Sequence, residues 1–369
     1  MLMKFTVDNF KNFKGQYTLD LSTPNNYEFN KEAISEDCKC ITKGIVYGPN
    51  GSGKSNLGLA IFDIVTHLTD TNVLAVKYNL YNNLESKKTT VEFEYKFDFK
   101  GHELVYHYIK QDIKTLLLEQ VRIDGNEVVY YDYRLNEGYS SLKGSETLNL
   151  VGKKNNQISR VKYILGTALL ADDEINNTFL SFGDYVNHML LFYSLDDRGY
   201  EGFKIGSDKL SKVILEQGKI EEFEEFLKSE GIYYSLVEKE LDGEKEIYCR
   251  FPNGDVNFFT IASTGTNSLA LFYYWYIQMK LCSFVFIDEF DAFYHFELAE
   301  SLVKKLKELK KTQIILTTHN TDLMTNDLLR PDCYFLIGNN RITSLNNATE
   351  KELRKAHNLQ KMYKAGAFS

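Results

Sequence analysis

One short segment, Gly48-Pro-Asn-Gly-Ser-Gly-Lys-Ser55, limits the folds open to this chain more than any other feature. It satisfies the pattern G-x4-G-K-[ST] at every position. An apolar run ends at Tyr47 just before it, and helical spacing follows from about Lys54 to Leu68. The segment is therefore predicted to join a buried strand to a helix. Its glycines allow successive backbone N–H groups to face one anion. The alternative is a glycine-rich surface turn without a ligand.

The same segment indicates a nucleotide phosphate and Mg²⁺ as its ligands. In this pattern the lysine, here Lys54, reaches the β- and γ-phosphates, and the hydroxyl of Ser55 ligates Mg²⁺. The N-terminus of the following helix adds a partial positive charge for the same anion. The residues predicted to contact ATP are Asn50, Gly51, Ser52, Gly53, Lys54, Ser55 and Asn56.

A second candidate group lies far along the chain, where an apolar strand from Ser283 ends in Asp288 and Glu289. Open parallel sheets bind ligands at the carboxyl ends of their strands. At such a place Asp288 is suited to hold Mg²⁺, and Glu289 is suited to orient and polarise an attacking water. The alternative is a solvated Asp-Glu pair that only ends the strand. The phosphate-binding pattern upstream makes this alternative the weaker interpretation.

A further buried strand, from Gln313, is predicted to end at His319. A histidine in this position can hydrogen-bond to the γ-phosphate or to the lytic water, and the alternative is a cap for the next helix. A helix over 322–328 and a strand over 333–337 are predicted to follow. Strands that alternate with helices in this way are typical of a parallel sheet.

Composition narrows the function classes. Among the 369 residues, 43 Lys and Arg stand against 51 Asp and Glu, for a net charge of −8. A basic coat for nucleic acid over the whole body is therefore excluded, whereas a local basic groove stays open. The 5 cysteines favour a reducing compartment, and no second Cys/His pair accompanies Cys38 and Cys40 to complete a zinc site. The apolar stretch 269–287 contains Gln278 and Lys280, which disfavour a membrane span. We expect a cytoplasmic protein that does not enter the membrane.

The order of these motifs resembles that of the ABC ATPase superfamily. In its SMC-like branch the chain opens with a hairpin, like the turn Asn9-Phe-Lys-Asn-Phe13 here. The position of the superfamily's signature loop is held by Ala262-Ser-Thr-Gly-Thr266. This variant is similar to that of prokaryotic AAA-type ATPases related to the overcoming-lysogenisation-defect nucleases and abortive-infection proteins. The closing segment from Leu329-Arg-Pro-Asp332 to Phe368 resembles theirs as well.

The resemblance implies an α/β fold, namely an ABC ATPase head with a mixed sheet around the phosphate loop, an antiparallel β-subdomain and a helical insertion. Residues 1–144 would form the N-terminal lobe, and residues 232–369 the C-terminal lobe with the signature, the Asp-Glu strand and the histidine. Residues 145–231 would be the insertion, with helical spacing at 164–179, 184–192 and 208–228. Its aromatic and acidic residues could equally form a core with a solvated face or contact a partner.

In ABC ATPases the signature contacts the γ-phosphate bound to the other protomer. The resemblance therefore implies that Ser263, Gly265 and Thr266 act in trans, and that the active unit is a homodimer or a higher homo-oligomer. Lys11, in the N-terminal turn, would be a further phosphate contact or, equally, a solvated lysine.

The resemblance further implies an Mg²⁺-dependent ATP hydrolase that is the sensor or scaffold of an anti-phage, abortive-infection module. Related nucleases carry a TOPRIM domain, but the 50 residues after His319 contain no Glu…Asp-x-Asp cluster. A separate effector, a TOPRIM or other nuclease or a toxin, is therefore expected, as in two-gene systems such as the phage anti-restriction-induced system. A phage protein would be the trigger, and nucleic acid is a possible but not a required ligand. The alternatives are an SMC- or RecF-like DNA-repair ATPase that binds DNA ends, and a transporter nucleotide-binding subunit, which the signature variant disfavours.

Overall fold

The computed structural model describes the whole chain except residues 23, 71–74, 152–157, 194–199, 203–209, 242, 293, 295, 339–340 and 369. The chain divides into two compact units. Unit 1 comprises Met1–Ile205, Cys282–Phe290 and Lys310–Ser369, and unit 2 comprises Gly206–Leu281 and Asp291–Leu309.

The strands of the described chain, in sequence order, are β1 (Leu2–Asp8), β2 (Gln16–Asp20), β3 (Lys43–Tyr47), β4 (Val91–Phe99), β5 (His102–Lys110), β6 (Leu116–Ile123), β7 (Asn126–Asp132), β8 (Glu137–Ser140), β9 (Met189–Tyr193), β10 (Tyr200–Gly202), β11 (Leu236–Leu241), β12 (Glu244–Phe251), β13 (Gly254–Asn257), β14 (Phe284–Asp288), β15 (Gln313–Thr318), β16 (Tyr334–Gly338) and β17 (Arg341–Ser344).

The α-helices are α1 (Lys54–Phe62), α2 (Val65–Leu68), α3 (Arg160–Thr167), α4 (Glu174–Asn187), α5 (Leu210–Glu216), α6 (Ile220–Ser229), α7 (Phe258–Ile261), α8 (Thr264–Met279), α9 (Phe296–Lys307) and α10 (Leu359–Lys364). None of the helices in the described ranges is long and apolar enough to cross a membrane.

Unit 1 contains a mixed sheet in the strand order β10-β9-β14-β15-β3-β16-β17. The five strands from β9 to β16 are parallel to their neighbours, whereas β10 and β17 are antiparallel edges. Every residue of β3, β14 and β15 is buried. Parallel strands covered on both faces need such continuous apolar runs, which explains why the sequence shows no alternation here.

A second sheet of unit 1 is antiparallel throughout, in the order β2-β1-β4-β5-β6-β7-β8. Helix α1 packs between the two sheets. On one side the hydroxyl of Tyr95 in β4 donates to the carbonyl of Ala60 over 3.0 Å. On the other side a Cβ placed on Gly58 would lie only 2.7 Å from the ring of Phe286 in β14. The predicted combination of a mixed sheet around the phosphate loop and an antiparallel β-subdomain is confirmed.

Unit 2 consists of the antiparallel sheet β11-β12-β13 and helices α5 to α9. Its core includes the apolar face of α6, on which Phe223, Phe226 and Leu227 are buried. The ring of Phe223 packs against Phe258 and Tyr273, with centroids 5.5 and 5.1 Å away. Of the acidic residues of α6, Glu221, Glu222 and Glu225 are exposed, whereas Glu224 is half-buried and accepts from the N–H of Leu236 over 2.6 Å.

Four sequence expectations about helices are wrong. The helix expected over 164–179 is divided into two helices, because α3 ends at Thr167 and α4 begins only at Glu174. The helix expected over 184–192 ends at Asn187, and Met189–Tyr193 is a fully buried strand of the mixed sheet. The helix expected over 322–328 is only a short 3-10 turn at Thr321–Leu323. The helical stretch 208–228 is interrupted at Gly218, whose φ is +64°. The boundaries of a helical insertion stay a prediction, since 145–205 belongs to unit 1 and 206–231 to unit 2.

Candidate functional site

The predicted site residues of unit 1 are brought together by the order of three parallel strands. Strand β15 lies between β14 and β3. In this register Thr318 is opposite Tyr47, and Ile287 is opposite Leu316. The three strands therefore end at the same edge of the sheet, where β3 leads into the glycine-rich loop, β14 ends at Asp288 and β15 leads to His319.

The loop 48–55 has a backbone that only glycine accommodates at its critical points. Gly51 and Gly53 have φ of +76° and +102°, in the left-handed region that side chains disfavour. A Cβ on Gly53 would lie 2.5 Å from Nδ2 of Asn12, and one on Gly48 would lie 2.6 Å from the carbonyl oxygen of Ile337. The loop is therefore a close-packed cradle, and α1 begins immediately after it at Lys54.

Lys54 is 5% exposed, and its ammonium is held inside this cradle. Nζ donates to the carbonyl oxygen of Gly48 over 2.8 Å and to that of Pro49 over 3.3 Å. Nδ1 of His319 lies 3.5 Å from the same nitrogen. Burial lowers the pKa of Lys54, while the negative charges of Asp288 and Glu289 oppose that shift. The lysine thus bonds to the loop's own carbonyls at the place where an anion's oxygens would be received.

The other loop residues are placed as follows. Asn50, Gly51 and Ser55 are exposed to solvent. Oγ of Ser52 is buried and has no hydrogen-bond partner within the described ranges. This hydroxyl, two residues before Lys54 in the loop, is a polar atom for which the described structure supplies no partner, and a phosphate ligand would supply one.

The hydroxyl of Thr317 in β15 contacts both acidic residues at the end of β14. Thr317 Oγ1 donates to Oδ1 of Asp288 over 2.7 Å and accepts from the backbone N–H of Glu289 over 2.8 Å. Asp288 is 9% exposed. Glu289 has a φ of +48°, which is uncommon for a residue other than glycine. Strained backbones of this kind occur preferentially at functional sites.

Two residues of the N-terminal turn contribute differently from the sequence expectation. The ammonium of Lys11 donates to the carbonyl of Asn79 over 2.9 Å, and its phosphate contact stays a prediction. Its neighbour Asn12, which the sequence analysis missed, contacts the loop directly. Asn12 Nδ2 donates to the carbonyl of Ser52 over 3.2 Å, and Asn12 Oδ1 accepts from the side chain of Asn56 over 2.7 Å. No local pattern distinguishes Asn12 from Asn9 in the same turn.

The predicted signature residues lie in unit 2, at the start of α8. Ser263 is the N-cap of this helix, and its Oγ accepts from the backbone N–H of Thr266 over 3.1 Å. The hydroxyls of Ser263 and Thr266 are 2.9 Å apart. Around Gly265 a Cβ would meet no atom closer than 3.9 Å. The serine thus has a structural reason to be there, because side-chain oxygens stabilise helix N-termini.

Comparison with solved structures finds the SMC head domain from Thermotoga maritima, with a TM-score of 0.43 and 16% identity over 94% of this chain and 99% of that chain. It also finds the SMC head bound to the C-terminal winged-helix domain of ScpA, with a TM-score of 0.45 and 15% identity over 93% and 97%. At this level of similarity, neither structure identifies a functional residue in this chain. No curated protein sequence matches the chain.

A family model does match, over residues 45–325, which is most of the chain. The match begins within β3 and includes the glycine-rich loop, the signature region, the carboxylates after β14 and His319. It agrees with the relationship to abortive-infection ATPases that the motifs suggested. This chain belongs to the AAA family described as "AAA domain, putative AbiEii toxin, Type IV TA system".

Proposed function

We propose that this chain is an ATPase that binds and hydrolyses ATP at the edge formed by β3, β14 and β15. The observation that carries the proposal is the position of β15. Its end places His319 3.5 Å from the ammonium of Lys54, and its Thr317 holds both Asp288 and the backbone of Glu289. One strand thus joins a phosphate-binding group to the two carboxylates that ATP hydrolysis needs.

ATP would be bound through its phosphates by residues 50–56. The backbone N–H groups of the loop and the N-terminus of α1 would face the anion. Lys54 would exchange the carbonyl oxygens of Gly48 and Pro49 for phosphate oxygens. Burial lowers the pKa of Lys54, and a bound polyanion would favour its charged form.

The chemistry of the γ-phosphate is assigned to four side chains. Ser55 and Asp288 would hold Mg²⁺, which neutralises part of the charge on the phosphates when it is bound. The carboxylate of Glu289 would orient the attacking water and accept its proton. The imidazole of His319 would hydrogen-bond to the γ-phosphate or to that water. Thr317 holds the carboxylate of Asp288 and the backbone of Glu289 but does not itself meet the substrate.

Hydrolysis is proposed to need a second copy of the chain. Ser263, Gly265 and Thr266 would contact the γ-phosphate held by the partner, so that a homodimer or larger homo-oligomer encloses the nucleotides. Ser263 and Thr264 are exposed, and the helix α8 that follows them has 16 residues. The N-terminus of such a helix presents partial positive charge to an incoming phosphate.

We further propose that the chain senses infection for a separate effector. The family description names a toxin of a type IV toxin–antitoxin system, which supports a function within a two-gene system. The effector would be a nuclease, of the TOPRIM or another class, or a different toxin, and a phage protein would be the trigger. The net charge of −8 favours a protein partner over nucleic acid as the first contact.

Two variants test the ATPase assignment. Glu289→Gln should lower turnover about 100-fold or more while ATP stays bound, because it removes the proton acceptor. Lys54→Ala should abolish ATP binding, since the loop loses its only lysine. The matched controls are Glu137→Gln and Lys114→Ala, which are exposed residues of the antiparallel sheet and its hairpin.

The measurements are steady-state ATP turnover, nucleotide retained after gel filtration, and molar mass by light scattering. We expect Glu289→Gln to retain ATP and to shift to the mass of a dimer or larger assembly. Undiminished hydrolysis in Glu289→Gln would contradict the assignment. If Glu289→Gln retains ATP but stays a monomer, the ATPase assignment stands and only the proposal that two copies enclose each nucleotide is contradicted.

The defence function is tested by phage plating on cells that carry the chain with its neighbouring gene. Protection should require both genes and should be lost in Lys54→Ala. The defence function would be overturned if the two genes together gave no protection against phage and the neighbouring gene encoded neither a nuclease nor a toxin. ATP-dependent binding of the purified chain to duplex DNA ends would instead favour a DNA-repair ATPase.

A further inference from the structure

Cys38 and Cys40 lie in the loop that precedes β3, and their side chains are in contact. Their sulfur atoms are 2.7 Å apart. The residue between them, Lys39, has a φ of +50°, which turns the chain so that both side chains face each other. The turn is closed by a 2.8 Å hydrogen bond from the N–H of Ser35 to the carbonyl of Cys40. The backbone conformation of this loop therefore holds the two sulfur atoms in contact.

The two thiols differ in the way that a reactive pair requires. Cys38 is partly exposed, whereas Cys40 is fully buried behind it. The contact with Cys40 lowers the pKa of Cys38 to about 6, and the nearby ammonium of Met1 acts in the same direction. The same contact, together with burial, raises the pKa of Cys40. At neutral pH the accessible sulfur is thus the thiolate, which is the nucleophilic form.

The other cysteines lack these properties. Cys249, Cys282 and Cys333 are buried, and burial raises the pKa of Cys249 to about 11 and also raises that of Cys333. Within the part of the chain that the structure describes, Cys38 and Cys40 belong to no group of three or more side chains that could hold a metal. The pair therefore has the accessibility and polarisation of a redox site, without the ligand number of a metal site.

We propose that Cys38 and Cys40 are a reversible thiol pair that a low-molecular-weight disulfide oxidises to an intrachain disulfide. The Cys38 thiolate attacks one sulfur of the external disulfide, forms a mixed disulfide and releases one thiolate. The Cys40 sulfur then attacks the Cys38 sulfur, gives up its proton and releases the second thiolate. Counted from the thiolate–thiol pair, the protein loses one proton and two electrons. The external disulfide is reduced to one thiolate and one thiol, which takes up the proton from Cys40.

The disulfide would close a ring across a single residue, and strained disulfides of this kind are readily reduced. Its loop is tied to the start of the mixed sheet. Gln313 is the first residue of β15. Its side-chain amide nitrogen donates to the carbonyl of Ile41 over 3.1 Å and to the carbonyl of Leu2 over 2.9 Å. Its Nε2 lies 3.9 Å from the sulfur of Cys40. Oxidation would thus act on the end of β3 and β15 opposite the nucleotide edge.

The test uses the full chain in buffers of graded oxidised and reduced glutathione, followed by alkylation of free thiols, intact mass and peptide mapping. The wild type should lose two hydrogens and become protected at Cys38 and Cys40, and excess reduced glutathione should restore both thiols. Cys40→Ser should stop with one glutathione on Cys38, and Cys38→Ser should gain none. In the reduced protein, Cys38 should alkylate at least about tenfold faster than Cys249 at neutral pH.

Three results would overturn the proposal. One is a wild type whose Cys38 and Cys40 stay alkylatable in excess oxidised glutathione. Another is a wild type that stops at the glutathione adduct, as Cys40→Ser does. The last is equal modification of all five cysteines, since selectivity for the pair is what the loop geometry requires.

Discussion

Thr317 and Asp288, on neighbouring parallel strands, are joined by a hydrogen bond of 2.7 Å from the threonine hydroxyl to the carboxylate. The same hydroxyl accepts from the N–H of Glu289. The side chains of Thr317 and Asp288 are both buried, and leaving a buried polar atom without a hydrogen-bond partner costs about 1–3 kcal/mol. This threonine therefore holds the carboxylate of Asp288 and the backbone of Glu289, although it is not one of the predicted site residues.

Replacing Thr317 by valine should lower ATP turnover by about tenfold or more, because Asp288 and Glu289 lose their shared anchor. It should also lower the free energy of unfolding by about 1–3 kcal/mol. Turnover and urea unfolding measure the two effects. Thr317→Ser keeps the hydroxyl and should retain most of the turnover. Equal turnover in the valine variant and the wild type would show that the bond does not position the site.

Asp63, just after α1, forms a fully buried ion pair with Lys110 of β5 over 2.8 Å. It also accepts from the hydroxyls of Tyr81 and Tyr108 over 2.6 and 3.0 Å. Burial lowers the pKa of Lys110, and the charge of Asp63 opposes that shift. Asp63→Asn should cost about 3–5 kcal/mol of stability in urea unfolding, because it leaves a buried charge uncompensated.

The control for this pair is Glu103→Gln, which removes the exposed ion pair with Lys96 and should cost at most about 1 kcal/mol. Adding Lys110→Met to Asp63→Asn should restore part of the loss, since no charge then stays unpaired. A cost of Asp63→Asn as small as that of Glu103→Gln would contradict the burial of this pair.

Gly58 lets α1 approach the mixed sheet. In Gly58→Ala the new methyl would lie 2.7 Å from the Phe286 ring and 3.3 Å from Leu191. We expect overpacking to cost about 1–3 kcal/mol, and to exceed the roughly 1 kcal/mol that alanine gains over glycine in a helix. Thermal unfolding measures the difference. Gly166→Ala in α3 meets no atom within 4 Å and should be neutral or stabilising. A stabilised Gly58→Ala would contradict the close contact.

Lys43 gives a pH-dependent prediction. It is 3% exposed, and burial lowers its pKa from 10.5 to about 8. Below pH 8 the lysine is charged in both states, and its burial penalty is fully present. Between pH 8 and 10.5 the unfolded state binds more protons than the folded state, so this group makes stability rise with pH. The gain relative to Lys43→Met should approach about 3 kcal/mol.

Urea unfolding of the wild type and Lys43→Met at several pH values from 7 to 10 tests this sign, because the other titrating groups are common to both proteins. The stability difference should be constant below pH 8 and should then change in favour of the wild type. Parallel curves over the whole range would show that the folded state does not shift the titration of Lys43.

Features that depend on neighbouring residues were predictable. The glycine spacing of 48–55 predicted the cradle, because positive φ and close backbone approach are properties of single positions. The apolar runs predicted β3, β14 and β15 with nearly correct bounds. The run Met189–Tyr193 shows the limit, because five buried apolar residues fit a helix and a strand equally well. The segment is a strand because it pairs with β14, which is a contact that the local sequence does not reveal.

By itself, the sequence determined the glycine-rich loop between a strand and a helix, the carboxylates at a strand end and the histidine after another strand. The tertiary structure alone decided that β15 lies between β14 and β3, and hence that Thr317 holds Asp288 while His319 reaches Lys54. It also decided that Asn12 contacts the loop, while the ammonium of Lys11 donates to the carbonyl of Asn79. The physical reason is that these contacts join residues distant in sequence, and their geometry follows from strand order and packing rather than from local propensity.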